Sequence, residues 1–459
     1  MSEITYDYTD LYWQHRRGSD LFGGLAMLAM MACVINCALP ELEMLLTGGN
    51  VPIPNGIIKI GCFAFLIALM ILYRTFDLTS FPTISWVAVI VYLALVFPFL
   101  WFVARKEPSE ILLAYNAYYC PLIFAPVVAA FRGRLSERTA LRIFLAVFAA
   151  SAILGWAQFI LQDPIVKLAS NDGNFRIFAS QWMQGGERST RAMSFFGNAQ
   201  EFGSFLVLVA AIGIGMCGSR GGWKKGIPLY LLAGATCYTT LTRATFVQLF
   251  FATVAAATFT FGKKPNRVTW QPLIALCLGL VIAFSGISKQ ISDQISDKKS
   301  LADDSSLQQR LMQWGIYTSQ LEHSSTATQL FGLGFCQADR PAMVPLKEEW
   351  NLVLVDNMYL AFTLHIGLVG AVLMMALLWG MWRFIRFEAV SHPTPALVGI
   401  ASLWATFLMT GMFNIQAANY GFWFLVAVII SRRTPQFGEQ AAWSEAAVSP
   451  EEPSILEEA

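Results

Sequence analysis

Between Lys225 and Lys263 the chain is apolar except for one charge, Arg243. A membrane-crossing helix takes about 20 apolar residues. The stretch is too long for one crossing and suits two. The turn between them falls in the polar run Tyr238-Thr239-Thr240-Leu241-Thr242-Arg243-Ala244-Thr245. An ionised guanidinium at membrane depth costs from about 2.5 to above 10 kcal/mol, so it faces a cavity or a counter-charge. Arginine also grips phosphate through a planar fork of donors. A lone Arg at the outer end of a helical hairpin therefore points to a phosphate-holding site. An Arg that snorkels to the interface and anchors the helix is the competing reading. Chemistry alone leaves the two even.

Similar apolar runs recur along most of the 459 residues, which are 56% hydrophobic and 13% charged. Soluble domains average about 25% charged residues, so the composition defines an all-α polytopic membrane protein. Hydrophobicity predicts twelve helices, over roughly 21–39, 56–73, 82–104, 112–131, 140–161, 199–217, 226–240, 244–261, 270–288, 357–380, 395–413 and 418–431. Residues 1–20 form the N-terminal segment and 21–431 the transmembrane catalytic domain. From Thr434 onward the chain is Pro-containing and acidic, so 432–459 reads as a disordered cytoplasmic tail. Residues 434–459 hold six of the 30 acidic residues and no basic one. The rest therefore carries an excess of seven positive charges. The excess is spread over short loops, where it sets topology and implies no nucleic acid.

Basic residues cluster at alternate connections: Arg16/Arg17, Arg74, Arg132/Arg134/Arg138/Arg142, Arg220/Lys224/Lys225, Lys263/Lys264/Arg267, Arg383/Arg386 and Arg432/Arg433. These belong inside, which makes both termini cytoplasmic. The opposite short connections are nearly free of Lys and Arg, except Arg105-Lys106. The alternation also requires a turn at Arg243, because without it every later loop would change sides. No cleavable leader is expected, since the first apolar run is followed by no small-residue cleavage site.

Two outside loops are long, about 162–198 and about 289–355. Loops of this length are usually functional or disordered. In the second, Ser305 and Gln308 fit a capping box. Leu307, Leu311, Trp314 and Leu321 follow at helical spacing, so 305–321 should be an amphipathic helix lying on the membrane core. The turn Gly332-Leu333-Gly334 comes next.

Seven cysteines lie in or at the ends of apolar spans, and only Cys336 falls in a long polar loop. They read as small core residues that imply no disulfide framework. The four histidines, His15, His323, His365 and His392, make no metal-spaced cluster. No metal and no cofactor is expected.

The outside face gathers arginines: Arg188 and Arg191 before a helix start, Arg243 at the hairpin turn, Arg310 in the loop helix and Arg340 after the glycine turn. Glu201 and Asp356 each stand near the outer boundary at the start of an apolar span. Arg188, Arg310 and Arg340 taken singly read as solvated. Arg191, Arg243, Glu201 and Asp356 are costlier where they sit. Such a cavity suits one reaction. Arginine forks stabilise a pyrophosphate leaving group without a metal. A carboxylate on the wall can deprotonate a sugar hydroxyl. His323, in the outside loop, is the rival base, and His365 should pack two turns into its helix.

At these residues the chain resembles the bacterial O-antigen polymerase/ligase family, the Wzy/WaaL type of integral-membrane glycosyltransferase. Three segments match in order. Arg191 through Gly203, with Asn198, resembles the family's Arg-rich approach to a helix with an asparagine turn. Leu241-Thr242-Arg243-Ala244-Thr245 resembles its threonine/serine-arginine hairpin. Gly332-Leu333-Gly334-Phe335, then Asp356-Asn357-Met358-Tyr359-Leu360 and Gly367-Leu368-Val369-Gly370, resemble its glycine turn, its His/Asp-Asn helix start and the glycines beyond.

The resemblance implies a fold akin to the C-type glycosyltransferases, with a periplasmic active site under a large loop. It implies a polyprenyl-pyrophosphate-linked oligosaccharide as donor and no metal. Arg191 and Arg243 would hold pyrophosphate, with Arg310 and Arg340 on the loop. Asp356 or Glu201 would serve as base, and Asn357 and Asn198 would bind sugar or backbone. Ligases of the family carry His directly before the motif's asparagine. Here Asp356 stands there, which favours a repeat-unit polymerase of the inner membrane over a ligase. A chain-length regulator is the expected partner. A twelve-helix secondary transporter is the reading from another class, but the chain shows neither repeats nor paired midplane charges.

Overall fold

The computed structural model describes residues 28, 57–72, 83–102, 137–163, 165, 167–169, 175–177, 179–184, 187–196, 199–219, 221–261, 315, 318–319, 321–332, 358–391 and 393–410. Nine helices of six residues or more are among them. They are α1 (Ile57–Leu72), α2 (Thr83–Phe102), α3 (Glu137–Leu161), α4 (Ala199–Cys217), α5 (Trp223–Thr239), α6 (Arg243–Phe261), α7 (Thr326–Phe331), α8 (Met358–Ser391) and α9 (Pro395–Thr410). The apolar spans expected at 56–73, 82–104, 140–161, 199–217, 226–240, 244–261, 357–380 and 395–413 each coincide with one of them. The spans expected at 112–131, 270–288 and 418–431, and 21–39 apart from the helical Leu28, lie outside the described residues.

Among the described residues, four helices are long and apolar enough to cross a membrane: Leu141–Leu161, Ala199–Cys217, Ala244–Phe261 and Phe362–Val390. Their outer faces fit that environment. Ile153 and Ile160 on α3 are 72% and 69% exposed, and Val372 and Trp379 on α8 are also open. Apolar area on this scale is rare on a soluble monomer.

The centre of the bundle is α4. Its residues from Phe202 to Gly215 are buried around the whole helix, as expected of a helix that is apolar on every side. Small residues let its neighbours approach. At its far end a Cβ on Gly213 would stand 2.8 Å from the Gly226 carbonyl of α5, and one on Gly215 would stand 2.9 Å from Pro395 of α9. Close backbone approach through small residues is how membrane helices gain packing without a hydrophobic driving force. α5 and α9 therefore start where α4 ends. In contrast, α6 starts where α4 starts. Ser204 Oγ donates to Gln248 Oε1 at 3.1 Å, and a Cβ on Gly203 would collide with the Thr245 hydroxyl. Thus α4 and α6 run parallel in a fixed register.

Two differences from the sequence reading concern the loops. While the other described elements are helical, the loop expected at 162–198 contains two antiparallel β-hairpins. They are β1 (Lys167–Ala169) with β2 (Phe175–Ile177), and β3 (Ala179–Gln184) with β4 (Glu187–Ala192). The second pair is rich in polar residues, Ser180, Gln181 and Gln184 in β3 and Glu187, Arg188, Ser189, Thr190 and Arg191 in β4, with no apolar alternation to mark it. In the second loop, residues 315, 318, 319, 321 and 322 are helical, at the end of the expected loop helix. The region of its capping box lies outside the described residues. The short helix α7 then begins at Ser325, whose hydroxyl accepts the Thr328 amide at 3.2 Å. Such caps satisfy an otherwise open helix donor.

Candidate functional site

The two helix starts that carry Glu201 and Arg243 lie side by side. The α4–α6 register pairs Gly203 with Thr245 and Ser204 with Gln248, so Glu201 stands level with Arg243. The α5–α6 turn is Thr240-Leu241-Thr242, and Arg243 opens α6 rather than lying in the turn. This turn is inside the body. Thr239, Thr240, Thr242 and Thr245 are at most 6% exposed. Thr240 Oγ1 donates to Cys237 O at 2.8 Å, and Thr242 Oγ1 donates to Thr240 O at 3.0 Å. The threonines thus satisfy the turn's own backbone, and the cap hydroxyl of Thr242 is directed away from the first turn of α6.

The end of α3 closes this side. Gly155 lies between Phe202 of α4 and Thr239 of α5. Trp156 Nε1 donates to Thr236 Oγ1 at 3.1 Å, and Phe159 meets Tyr238 edge-on at 5.7 Å. One turn on, the fully buried Gln158 accepts the Met193 and Ser194 amides on Oε1, at 3.2 and 2.8 Å. Ser194 Oγ donates to Ser151 O at 2.8 Å. Those bonds fix the turn between Arg191, at the end of β4, and the start of α4. Arg191 pairs with Ser180 in the hairpin, is half-buried and is followed by the fully buried Ala192.

Four non-glycine residues among the described ones have positive φ: Gln162, Ile165, Ser194 and Leu241. All four lie at this end of the bundle. Left-handed backbone at an L-residue costs roughly 1–2 kcal/mol. Such residues persist only where the surroundings over-determine them, and they cluster at functional sites.

A third group of motif residues joins at similar depth. Phe259 of α6 meets Trp382 of α8 with ring centroids 6.5 Å apart. Counting back from that contact at ~1.5 Å per residue, Arg243 and Gly367 each lie about 22–24 Å further along. Gly367 is non-helical, with φ 70° and ψ 179°. It packs against Gly332 (φ 98°), where a Cβ would stand 2.7 Å from the Gly367 amide. The glycine turn and the glycines after the helix start, remote in sequence, are therefore one contact.

Arg191, Glu201 and the backbone of Arg243 are brought to one end of the bundle. Asn198, Arg310, Arg340, Asp356 and Asn357 lie outside the described residues, although Asp356 and Asn357 directly precede the start of α8. His323 is exposed, and its Nδ1 bonds Ser319 O of its own helix at 2.7 Å. His365, 5% exposed, is packed within α8. No cluster of metal-ligating side chains occurs among the described residues. Sequence reasoning missed Gln158, Ser194 and Tyr92. A glutamine deep in an apolar span was a usable signal for the first. The other two roles depend on backbone conformation.

Chemically, two parallel helix starts present partial positive charge to one region. Arg191 stands on the strand leading into the first of them, and Arg243 opens the second. Glu201, in the first turn of α4, is the kind of residue a helix start favours for its own stability, as well as a candidate base. Compared with known proteins, the chain matches no family model and no curated relative.

Gln158 offers a direct check of this architecture. Gln158→Leu removes the acceptor from two backbone amides in a buried turn. The expected loss is about 1–3 kcal/mol, read as a lower thermal midpoint in detergent. A midpoint equal to wild type would remove Gln158 from the support of this turn.

Proposed function

We propose that the protein is a metal-independent glycosyltransferase of the inner membrane that polymerises polysaccharide repeat units. It transfers a glycan from a polyprenyl-pyrophosphate carrier to a sugar hydroxyl at the periplasmic face. The observation that carries the reading is the shared location of Arg191, Glu201 and the start of α6 at Arg243, at the strained end of the bundle. Arg191 and Arg243 hold the pyrophosphate, with Arg310 and Arg340 assisting from the long loop. As the glycosidic carbon leaves the pyrophosphate oxygen, charge develops on that oxygen, and fixed guanidinium donors stabilise it most where water is excluded. Asp356 takes the proton of the acceptor hydroxyl, with Glu201 as the second candidate. Asn357 and Asn198 hydrogen-bond sugar or loop backbone. The apolar helices carry the lipid half of the donor.

Two assays test this. A strain lacking the protein should still place a single repeat unit on its acceptor and lose only long chains. Glycan left entirely on the carrier would make the protein a ligase instead. Purified protein given a lipid-pyrophosphate-linked repeat unit should extend it in EDTA. Activity lost in chelator and regained with magnesium would assign the charge stabilisation to a metal and not to the arginines.

A further inference from the structure

α8 is broken at Gly367, and the break is filled by a side chain from another helix. In a continuous helix the Gly370 amide would donate to the Ile366 carbonyl. At φ 70° and ψ 179° Gly367 turns the chain out of that path. Tyr92 of α2 occupies the gap. Its hydroxyl donates to Ile366 O at 2.5 Å, and the Gly370 amide faces the same phenolic oxygen. The ring lies on Gly370, where a Cβ would stand 2.5 Å from Tyr92 Cε1. A phenol is both donor and acceptor, so one hydroxyl replaces both halves of the missing helix bond.

The same hydroxyl reaches the loop. Leu330 O of α7 lies 3.4 Å from it, and Phe331 packs against Phe99 of α2 with centroids 5.4 Å apart. Gly332 closes on His365 and Gly367. α2, the end of α7 and the break in α8 therefore meet at Tyr92, which is 8% exposed. The part of α8 before the break, Met358–Ile366, is the part that continues from Asp356 and Asn357.

We propose that Tyr92 is a positioning residue whose hydroxyl wedges the break in α8. It thereby fixes both the Met358–Ile366 segment and the loop helix α7 for the transfer reaction. The kinetic half of this inference rests on the polymerase reading, and the structural half does not. The hydroxyl carries one proton and faces two carbonyls, Ile366 O and Leu330 O, so the kink and the loop are tied through a single group.

The test is Tyr92→Phe in the full-length protein in lipid nanodiscs, which keeps the ring and removes the oxygen. Backbone hydrogen exchange reads the wedge without any substrate. In the wild type the Gly370 amide should be protected. In Tyr92→Phe, peptides covering 366–371 and 326–332 should exchange faster by about tenfold, the loss expected for one hydrogen bond. Peptides from α4 and α6 should be unchanged. Donor-extension kinetics read the positioning role, with kcat falling while KM for the lipid-pyrophosphate donor stays within twofold, roughly the precision expected for an unaltered arginine site. An unprotected Gly370 amide in the wild type, or equal exchange in wild type and variant, overturns the wedge. Faster exchange with unaltered kcat overturns the positioning role. If wild-type protein extends no donor, the polymerase reading fails, and the exchange result still decides the wedge.

Discussion

Arg243→Ala should lower polymer formation by at least about 10²-fold, the usual loss when a donor to a developing oxyanion is removed, while the protein still inserts and accumulates. Arg243→Lys should recover little, because an ammonium cannot reproduce bidentate contact with phosphate. The expectation rests on where α6 begins. A cation in the first turn of a helix opposes the helix dipole and is unfavourable by about 0.3–1 kcal/mol, so this arginine is not there for the helix. The turn before it is buried at Thr240 and Thr242, with its hydroxyls occupied by its own carbonyls, while Val247, one helical turn on, is exposed. Gel analysis of polymer length and yield against membrane protein level is the measurement. Near-normal polymer in Arg243→Ala would return the residue to an anchoring role.

Gly367→Ala should be the most destabilising small substitution in the described part of the chain. The φ and ψ of Gly367 fall in a region populated essentially by glycine, and holding another residue there costs on the order of 1–3 kcal/mol. The added Cβ would also collide with Leu330 O, an overpacking cost of a further ~1–3 kcal/mol. The chain has one way out. α8 straightens, the Gly370 amide regains Ile366 O, and both Tyr92 and α7 are displaced. Limited proteolysis should then cut within 323–332, and the thermal midpoint in detergent should fall. Gly61→Ala is the control. Gly61 lies in α1 with nothing within 4 Å of its would-be Cβ, so the change should be neutral or slightly stabilising through helix propensity. A Gly367→Ala protein as stable and protease-resistant as Gly61→Ala would mean that the break in α8 is not required.

Hydrophobic length was enough to locate the long helices among the described residues, because each span must satisfy its backbone internally and bury or face lipid along its whole length. The helix from Ala199 to Cys217 was legible to the residue, and the hairpin at Arg243 to within a few. The hairpins of 167–192 were not. Strands of three to six residues rich in Gln, Ser, Thr and Arg carry too little alternation to stand out from a loop. The candidate site was legible as a set of charges that are costly at membrane depth, which is a local property of sequence. That Glu201 stands level with Arg243 was decided by one missing side chain, at Gly203, and one hydrogen bond, between Ser204 and Gln248. Depth along the chain says nothing about the register between two helices. The support of the Arg191 turn by Gln158, and the Tyr92 wedge at Gly367, depend on contacts made 35 and 274 residues apart. Residue order was sufficient for helices apolar enough to cross a membrane and for which charges are expensive enough to need a reason. Which of them meet is a matter of packing, because close approach between helices is set by the absence of atoms and by backbone conformation, and neither leaves a periodic signature in the chain.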